Sequence, residues 1–445
     1  MTWSRIIEIA ERRNGMGKNR VVVGCQWGDE GKGKIVDLLA SDADIIARFQ
    51  GGANAGHTIR VEQRKYVLHL IPSGIIQPGK VCCIGNGVVL DPFTFIEELE
   101  FVKSQGIDYT GRLFISPATN LVLPYHKLID AVEEGSRGTT SIGTTMRGIG
   151  PTYVDKVARH GIRIVDLFAP ERLKKRLEYQ RTIKARYLDG STDERADIER
   201  TYQELLGMVE LFRPMVIDVS RMLNEQFRKG KAILYEGAQG CLLDVDLGTY
   251  PFATSSNTTT GGALTGLGIG PKMIDEVVGV IKAYTTRVGA GPFPTELIDD
   301  VGEQIRHLGD EYGATTGRPR RCGWLDLVAL RHAIRVNGVD SMAITKLDVL
   351  DNLDEIKVCM EYELNGERIG EVPLDLAELG HVKPIYKALP GWKADTTGMT
   401  SFNSLPANAQ NYLNFIADDL GVCICLVSTG AKREETIMVE QAAAV

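Results

Sequence analysis

A glycine-rich loop directly after a short apolar run is the feature that most limits the fold of this chain. Residues 21–23 are all valine, and the segment 24–34 reads GCQWGDEGKGK. The spacing of Gly28, Gly33 and Lys34 fits a phosphate-binding loop, which joins a buried strand to the amino-terminus of a helix. A plain glycine turn is the alternative, but a buried strand followed by three closely spaced glycines, two lysines and an acid favours an anion-binding role. The loop therefore predicts an α/β fold that binds a polyphosphate.

The loop departs from the usual pattern at two positions. Ile35 stands where a Ser or Thr hydroxyl would normally bind Mg²⁺, so any metal here needs another ligand. Asp29 lies inside the loop, where its carboxylate could coordinate that metal or take a proton beside a nucleotide phosphate. The loop is therefore a candidate for chemistry as well as for phosphate binding.

Strand-like apolar runs recur along the chain. Most are apolar throughout, as expected of strands that helices cover on both faces. They lie at residues 21–24, 81–84, 113–116, 232–235, 277–283, 341–345 and 422–427. We predict an α/β fold: a single large domain with a mainly parallel central β-sheet flanked by helices, a P-loop-like nucleotide site and helical insertions. Ligands should gather at the carboxyl ends of the strands.

Composition and charge exclude several classes of protein. The chain has 445 residues, of which 43% are hydrophobic, and a net charge of −7, which argues against nucleic acid as its main partner. Apolar runs stay shorter than a transmembrane helix, so we expect no membrane partner. The eight cysteines lack metal-finger spacing, which favours reduced thiols and a cytoplasmic location.

The chain contains no obvious linker. We predict that residues 1–19 are an N-terminal extension and that residues 20–445 form one α/β domain. Within it, the charged segment at about 170–230 has spaced leucines and isoleucines, which indicates a helical insertion with solvated faces.

A second glycine-rich turn follows the phosphate loop. Residues 50–58 read QGGANAGHT, and the glycines permit close approach of the backbone to a ligand. His57 in this turn is suited to proton donation near neutral pH. An isolated histidine is often structural, but one beside a phosphate loop is a candidate partner for charge that develops on a transferred phosphoryl group.

Two polar loops in the middle of the chain are candidate nucleotide contacts. Residues 142–151 read IGTTMRGIGP and precede Arg159; hydroxyls, amides and a guanidinium suit a monophosphate. A tight turn before a solvated helix explains this composition equally well. The segment 236–257 carries Gln239 and Thr254 after a predicted strand, where an amide and hydroxyls can contact a purine edge or a phosphate.

Two later segments predict ligand specificity. Residues 314–321 read ATTGRPRR, and their guanidiniums suit a small dicarboxylate or a phosphate. The segment TKLD at 345–348 matches the TKxD element of GTP-binding proteins, in which Asp348 can accept hydrogen bonds from guanine N1 and N2. Ser428 and Gly430, after the last predicted strand, could complete this base pocket.

Taken in order between residues 21 and 436, these motifs resemble the adenylosuccinate synthetase family. The resemblance implies a ligase that condenses IMP with L-aspartate, using GTP and Mg²⁺. Adenylosuccinate, GDP and phosphate would form through 6-phosphoryl-IMP, in the first committed step of AMP synthesis from IMP. It also implies a cytoplasmic homodimer.

The resemblance assigns roles to individual residues. Asp29 would be the base that takes the N1 proton of IMP, His57 the acid, and Asp29 with the carbonyl of Gly56 the Mg²⁺ ligands. Arg159 would reach the IMP site of the neighbouring subunit. The implied catalytic residues are Asp29, Lys32, His57 and Gln239. The implied GTP site consists of Gly28, Glu30, Gly31, Lys32, Gly33, Lys34, Gly56, His57, Thr58, Lys346, Asp348, Ser428 and Gly430. The implied IMP site consists of Asp29, Asn54, Thr145, Arg159, Gln239, Thr254 and Arg318. The implied aspartate site consists of Thr315, Thr316, Arg318 and Arg320.

Two other function classes fit parts of the sequence. A GTP-dependent switch would explain the phosphate loop and the TKLD segment, but Ile35 and the arginine-rich loop argue against it. An ATP-dependent ligase of another carboxylate and amine is disfavoured by Asp348, because adenine offers no matching pair of donors.

Overall fold

The central sheet has nine strands in the computed structural model, which describes residues 18–61, 64–138, 141–313, 317–373, 375 and 378–439. Residues 1–17 of the predicted extension lie outside this described part. So do Thr315 and Thr316, two residues of the implied aspartate site.

The described residues form nineteen strands and thirteen helices. The strands are β1 (Arg20–Gly24), β2 (Ile45–Arg48), β3 (His57–Val61), β4 (Arg64–Leu68), β5 (Val81–Ile84), β6 (Val89–Leu90), β7 (Leu113–Ile115), β8 (Asn120–Leu121), β9 (Ile233–Glu236), β10 (Glu276–Lys282), β11 (Thr285–Arg287), β12 (Arg321–Gly323), β13 (Leu325–Asp326), β14 (Ser341–Thr345), β15 (Glu355–Leu364), β16 (Glu367–Ile369), β17 (Lys383–Pro390), β18 (Cys423–Ser428) and β19 (Thr436–Met438). The helices are α1 (Lys32–Leu39), α2 (Pro92–Ser104), α3 (Pro124–Ser136), α4 (Ile149–Val157), α5 (Pro170–Ile183), α6 (Ala185–Leu188), α7 (Ile198–Gly207), α8 (Val209–Phe212), α9 (Val219–Arg228), α10 (Thr260–Leu267), α11 (Asp300–Leu308), α12 (Leu327–Asn337) and α13 (Ala407–Leu420).

The strand order across the central sheet is β19-β18-β14-β10-β1-β9-β2-β5-β7. All neighbouring pairs are parallel except β18 with β19. This confirms the predicted mainly parallel sheet, and all seven predicted apolar runs belong to it. The short strands β2 and β19 were not predicted.

Strand β1 shows why these strands are apolar throughout. The side chains of Val21 and Val23 belong to one hydrophobic cluster, and Val22 between them belongs to another. All three are fully buried. Successive side chains of a strand point to opposite faces, so a strand that is covered on both faces needs apolar residues at every position.

Five helices, α5 to α9, lie within the segment predicted as a helical insertion. Buried residues such as Leu173, Leu177 and Leu205 anchor α5 and α7 to the hydrophobic cluster on one face of the sheet. Val219 and Leu223 of α9 belong to the other cluster. Among the described helices, none combines the length and apolar character that crossing a membrane would require.

Parallel pairing brings the carboxyl ends of the strands to one edge of the sheet. β1 ends at Gly24 and leads into the phosphate loop and α1, between the ends of β9 at Glu236 and β10 at Lys282. β14 and β18 end farther along this edge, at Thr345 and Ser428. Such an edge is where α/β proteins bind ligands.

A smaller sheet packs beside α12 through a buried carboxylate. It contains β13, β15, β16 and β17. Asp326 caps α12 by accepting from Ala329 N at 3.1 Å, and it also accepts from the Tyr362 hydroxyl at 2.6 Å. Burial raises the pKa of Asp326 to about 6, although these hydrogen bonds oppose the shift.

This shift predicts a pH-dependent contribution to stability. The carboxyl titrates near pH 4 in the unfolded chain, so between about pH 4 and 6 the folded state binds more protons and this group makes stability fall as pH rises. Replacing Asp326 by Asn removes that fall. From pH 4 to 7, we expect the variant to gain about 2–3 kcal/mol in free energy of unfolding relative to the parent protein. Denaturant titrations at both pH values measure this gain.

Asp354→Asn is the control for this measurement. The Asp354 side chain is 85% exposed, so its effect on the free energy of unfolding should change little over the same pH range. The prediction would be contradicted if the difference in free energy of unfolding between Asp326→Asn and the parent protein were equally independent of pH.

Candidate functional site

A cavity of about 720 Å³ opens at the carboxyl edge of the central sheet. It brings together most of the residues that the sequence identified as candidates. Those on its wall are Gly28, Asp29, Gly31, Lys32, Gly33, Lys34, Asn54, Gly56, His57, Thr58, Thr145, Gln239, Thr254, Arg320, Lys346, Asp348, Ser428 and Gly430.

The phosphate loop is braced from inside by Glu30, which is fully buried. Its Oε1 accepts from the backbone nitrogens of Gln26 and Gly28 at 3.1 and 2.9 Å, and its Oε2 lies 2.5 Å from Lys32 Nζ. Glu30 does not line the cavity, whereas Lys32 does. The carboxylate therefore fixes both the loop backbone and the lysine that faces a ligand.

Backbone conformation also shapes the loop. Gly28 and Gly31 have φ values of 85° and 87°, and Asp29 between them has φ of 59°. This left-handed region is unfavourable for most side chains and often marks functional positions. The conformation presents Asp29 on the cavity wall beside the amino-terminus of α1, where free N–H groups favour anions.

Asp29 belongs to a chain of charges that extends into the core. Its Oδ2 accepts from Arg320 Nε at 2.7 Å, and Arg320 Nη1 donates to Glu311 Oε2 at 2.7 Å. Behind them, the other oxygen of Glu311 accepts from Lys282 Nζ at 2.7 Å and from the Tyr284 hydroxyl. Burial opposes ionisation of Glu311, but the surrounding cations, Lys282 foremost, hold its pKa well below its usual value.

His57 is held by a second buried carboxylate, at the end of β9. Its Nδ1 lies 2.5 Å from Glu236 Oε1, while Ser73 donates to Glu236 from its backbone nitrogen at 2.8 Å and from its hydroxyl at 2.7 Å. Burial disfavours the charged form of Glu236, yet the contact with His57 and the hydrogen bond from Ser73 lower its pKa. An ionised carboxylate only accepts, so Nδ1 carries a proton. Nε2 is then the imidazole nitrogen left for a ligand; it is buried and has no partner among the described residues.

Amide side chains form another part of the wall. Gln239 adopts φ of 55°, and its Nε2 donates to Asn54 Oδ1 at 3.2 Å. Gln50, which is buried, donates to Gln239 Oε1 at 3.0 Å. These contacts fix the orientation of both amides at the cavity surface.

The hydroxyl-rich loop that includes Thr145 is held by α3. Glu134 accepts from the backbone nitrogens of Gly143 and Thr144 at 2.6 and 3.2 Å, and Asp130 accepts from Gly148 N at 2.9 Å. Thr145 and Thr254 both line the cavity. Asp244, in contrast, accepts from several backbone nitrogens, including that of Thr258 at 2.6 Å, and so braces its own loop.

The base-pocket candidates lie together at one end of the cavity. Burial raises the pKa of Asp348, and its Oδ1 is buried without a hydrogen-bond partner among the described residues. Lys346 adopts φ of 63° and donates from Nζ to the carbonyl of Gly309. Ser428 and Gly430 lie on the same wall. An acceptor that is buried and unpaired suits a ligand with N–H donors.

Two other described candidates are not on this wall. Arg159, at φ of 68° just after α4, lines a separate cavity of about 630 Å³ with His160, Arg172, Lys175, Arg176 and other residues. Arg318 is described but does not line the main cavity. The sequence analysis also missed Glu236 and Glu311 as site residues. Glu236 is the first residue of the segment 236–257, directly after a predicted strand, which was an available signal, whereas Glu311 lies outside the motifs used above.

Comparison with known proteins identifies close relatives. The family model described as adenylosuccinate synthetase matches residues 21–437. The adenylosuccinate synthetase of Hahella chejuensis is 52% identical over 427 residues, which cover 95% of this chain and 98% of the relative. That of Myxococcus xanthus is 51% identical over 429 residues, with 95% and 98% coverage.

Solved structures agree with these matches. The fully ligated adenylosuccinate synthetase of Plasmodium falciparum superposes with a TM-score of 0.90 at 39% identity, covering 95% of this chain and all of that one. The succinoaminodeoxyadenylate synthetase of cyanophage S-2L gives a TM-score of 0.59 at 21% identity, with 95% of each chain covered, which shows a shared fold.

The buried charges behind Asp29 predict a large effect on stability. Glu311→Gln leaves the Lys282 ammonium, which is 1% exposed, without a buried counter-charge. We expect the free energy of unfolding to fall by about 3–5 kcal/mol, as when one partner of a buried ion pair is removed. Denaturant titration at neutral pH measures the change.

Glu303→Gln is a matched control, because it breaks an ion pair with Arg306 in which the glutamate is 69% exposed. Surface pairs contribute about 1 kcal/mol or less, so its effect should be small. Equal effects of the two substitutions would mean that Glu311 does not balance a buried charge.

Proposed function

Because the chain belongs to the adenylosuccinate synthetase family, a family of ligases, we propose that it condenses IMP with L-aspartate at the expense of GTP. Adenylosuccinate, GDP and phosphate are the products, and the reaction is the first committed step of AMP synthesis from IMP. The observation that carries this proposal is one cavity that joins the phosphate loop, the Asp348 pocket and the wall of Gln239 and Asn54.

In the proposed reaction, Asp29 takes the N1 proton of IMP, so that O6 attacks the γ-phosphate of GTP and GDP leaves. The amine of aspartate then attacks C6 of 6-phosphoryl-IMP and phosphate leaves. The position of Asp29 inside the phosphate loop supports this role, because its carboxylate lies on the wall that also holds the phosphate-binding groups.

His57 is the proposed acid. With Nδ1–H donating to the Glu236 carboxylate, the protonated ring can also donate from Nε2 to the phosphoryl group as charge develops. Glu236 thereby acts as a positioning residue, since it fixes the ring without touching the cavity. Lys32 is the proposed phosphate-binding lysine, held in place by Glu30.

Mg²⁺ is the proposed metal. It prefers oxygen ligands and in phosphoryl-transfer sites takes one or two carboxylates with substrate phosphates and waters. The carboxylate of Asp29, 35% exposed, and the carbonyl of Gly56 fit that donor set on the cavity wall. No cluster of three His, Cys, Asp or Glu side chains that could hold a metal is found in the described part of the chain, so phosphates would have to supply further ligands. The ion would neutralise phosphate charge.

Substrate contacts follow the same wall. We propose that Asn54, Thr145, Gln239 and Thr254 contact IMP and that Asp348 selects guanine through its unpaired carboxylate oxygen. Arg320, together with Arg318 and the undescribed Thr315 and Thr316, is proposed to bind the carboxylates of aspartate. Arg320 is paired with Asp29, so it already lies at the reacting end of the cavity.

A homodimer is part of the proposal. Arg159 does not reach the main cavity of its own chain, which is consistent with a role in the site of a partner subunit. A cytoplasmic location is supported by eight cysteines, all described, among which no disulfide forms.

The activity is tested by ultraviolet absorbance of the protein with IMP, aspartate, Mg²⁺ and either GTP or ATP. We expect the absorbance change of a 6-substituted purine with GTP only, and only when aspartate is present. Asp29→Ala should lower turnover by at least about 100-fold, the lower range for a positioned proton acceptor, while nucleotide still binds. GTP hydrolysis at the same rate with and without aspartate would indicate a GTP-dependent switch. An active Asp29→Ala variant would show that Asp29 is not the base.

Mixed subunits test the shared site. Asp29→Ala and Arg159→Leu proteins should each be inactive, but a hybrid dimer contains one site with both residues intact. With equal mixing and full exchange, half of the dimers are hybrids, so about one quarter of parental activity should return. Failure to recover activity, with exchange verified by differently tagged subunits, would place Arg159 in its own subunit's site.

A further inference from the structure

Lys34 occupies the lysine position of the phosphate-loop pattern but points away from the loop. Its Nζ donates to Ser428 Oγ at 2.7 Å, to the carbonyl of Gly430 at 2.9 Å and to the carbonyl of Glu435 at 2.8 Å. The three acceptors lie in the segment from Ser428, the last residue of β18, to Glu435, just before β19. An ammonium has three N–H donors, and here each has an acceptor, so none is left for a phosphate.

The environment of Lys34 also differs from that of a phosphate-binding lysine. Burial lowers the pKa of Lys34 to about 8, even though Glu435 and Asp348 nearby favour its charge. The neighbouring Lys32, by contrast, pairs with Glu30 inside the loop. Two lysines separated by one residue on the same helix therefore serve opposite ends of the nucleotide cavity.

A second contact from α1 holds the same segment. Asp37 lies three residues after Lys34 and so on the same side of the helix. Its carboxylate, which is 1% exposed, accepts from Arg433 Nε at 2.7 Å and Nη2 at 2.6 Å. Lys34 and the Asp37–Arg433 pair together define a clamp that fixes residues 428–435 against α1.

The clamped segment forms the rim of the base pocket. Ser428, Gly430 and Ala431 line the cavity at the end where Asp348 lies. Within the segment, Thr429 N donates to the carbonyl of Glu435 at 3.1 Å. A Cβ on Gly430 would overlap the Glu435 carboxylate, so the turn is tightly closed. From outside, the segment is held by α1 and, through Thr429, by the backbone of Gly398 and Met399. Of these, only α1 connects it to the phosphate loop.

We propose that Lys34 is a positioning residue that determines nucleobase specificity: it fixes the rim at residues 428–430 so that guanine is preferred to adenine. This inference depends on the proposed GTP site. It assigns phosphate binding to Lys32 and base selection to Lys34. Because α1 begins in the phosphate loop, one helix sets the distance between the phosphate-binding and base-binding ends of the cavity.

The test compares Lys34→Met, which keeps an unbranched stem without donors, with Lys32→Met and Arg433→Met. The measured quantity is the ratio of kcat/KM for GTP to that for ATP. We expect Lys34→Met to lower this ratio at least tenfold and Arg433→Met to lower it by a smaller factor. Lys32→Met should reduce kcat/KM for both nucleotides, while the ratio stays within about twofold of the parent value. An unchanged ratio in Lys34→Met overturns the proposal.

A binding measurement separates base from phosphate recognition and does not need turnover. By calorimetric titration, the affinity of Lys34→Met for GDP should be at least tenfold lower than that of the parent protein. Its affinity for tripolyphosphate should match that of the parent protein within about twofold. Equal weakening of both ligands would mean that Lys34 binds phosphate and would overturn the proposal. Arg331→Met is the matched control for folding, because Arg331 contacts Asp419 through two nitrogens at a place remote from the cavity. It should change the affinity for neither GDP nor tripolyphosphate.

Asp348→Asn distinguishes this inference from the proposed function. If Asp348→Asn lowers the GTP to ATP ratio and Lys34→Met does not, the GTP pocket stands and the clamp is wrong. If Lys34→Met lowers the ratio and Asp348→Asn does not, the clamp stands and the assignment of Asp348 is wrong. If neither changes it, both assignments fail.

Discussion

The parallel pairing of β1 with β9 and β10 is the constraint on which the rest of the site depends. It sets the phosphate loop, Glu236 and Lys282 side by side at one edge, although they are far apart in the chain. Apolar side chains on both faces of β1 stabilise this arrangement and leave little freedom for the loop that follows. The geometry of the cavity therefore begins with the hydrophobic core.

Buried carboxylates form a second layer behind the cavity wall. Each is fully buried and each holds a cationic or titratable side chain that faces the cavity. The pairs are Glu30 with Lys32, Glu236 with His57, and Glu311 with Arg320. Burying a carboxylate is costly unless it is paired and hydrogen-bonded, and all three receive several donors. The desolvation cost is offset by contacts that hold the wall in one arrangement, as a preorganised binding or catalytic site requires.

Helix α1 connects the two ends of the nucleotide cavity. Its first turn belongs to the phosphate loop, and its outer side holds the rim of the base pocket through Lys34 and Asp37. A rigid helix cannot shift at one end without moving the other. In the proposed assignment, this helix therefore sets the distance between the phosphate-binding loop and the base pocket, while separate lysines serve each end.

The sequence by itself determined the sheet class, seven of the nine strands of the central sheet and the loops that line the cavity, because apolar runs and glycine spacing are local signals. It missed β2, which ends on the charged Arg48, and the three-residue edge strand β19, and it missed the roles of Glu236 and Glu311. His57 and Glu236 are 179 residues apart, so no local pattern joins them. It also could not show that the Lys34 side chain points away from the phosphate loop, since that direction depends on acceptors 394 or more residues away. Only the tertiary structure decided these pairings, because a side chain's direction is fixed by partners that the folded sheet brings to it.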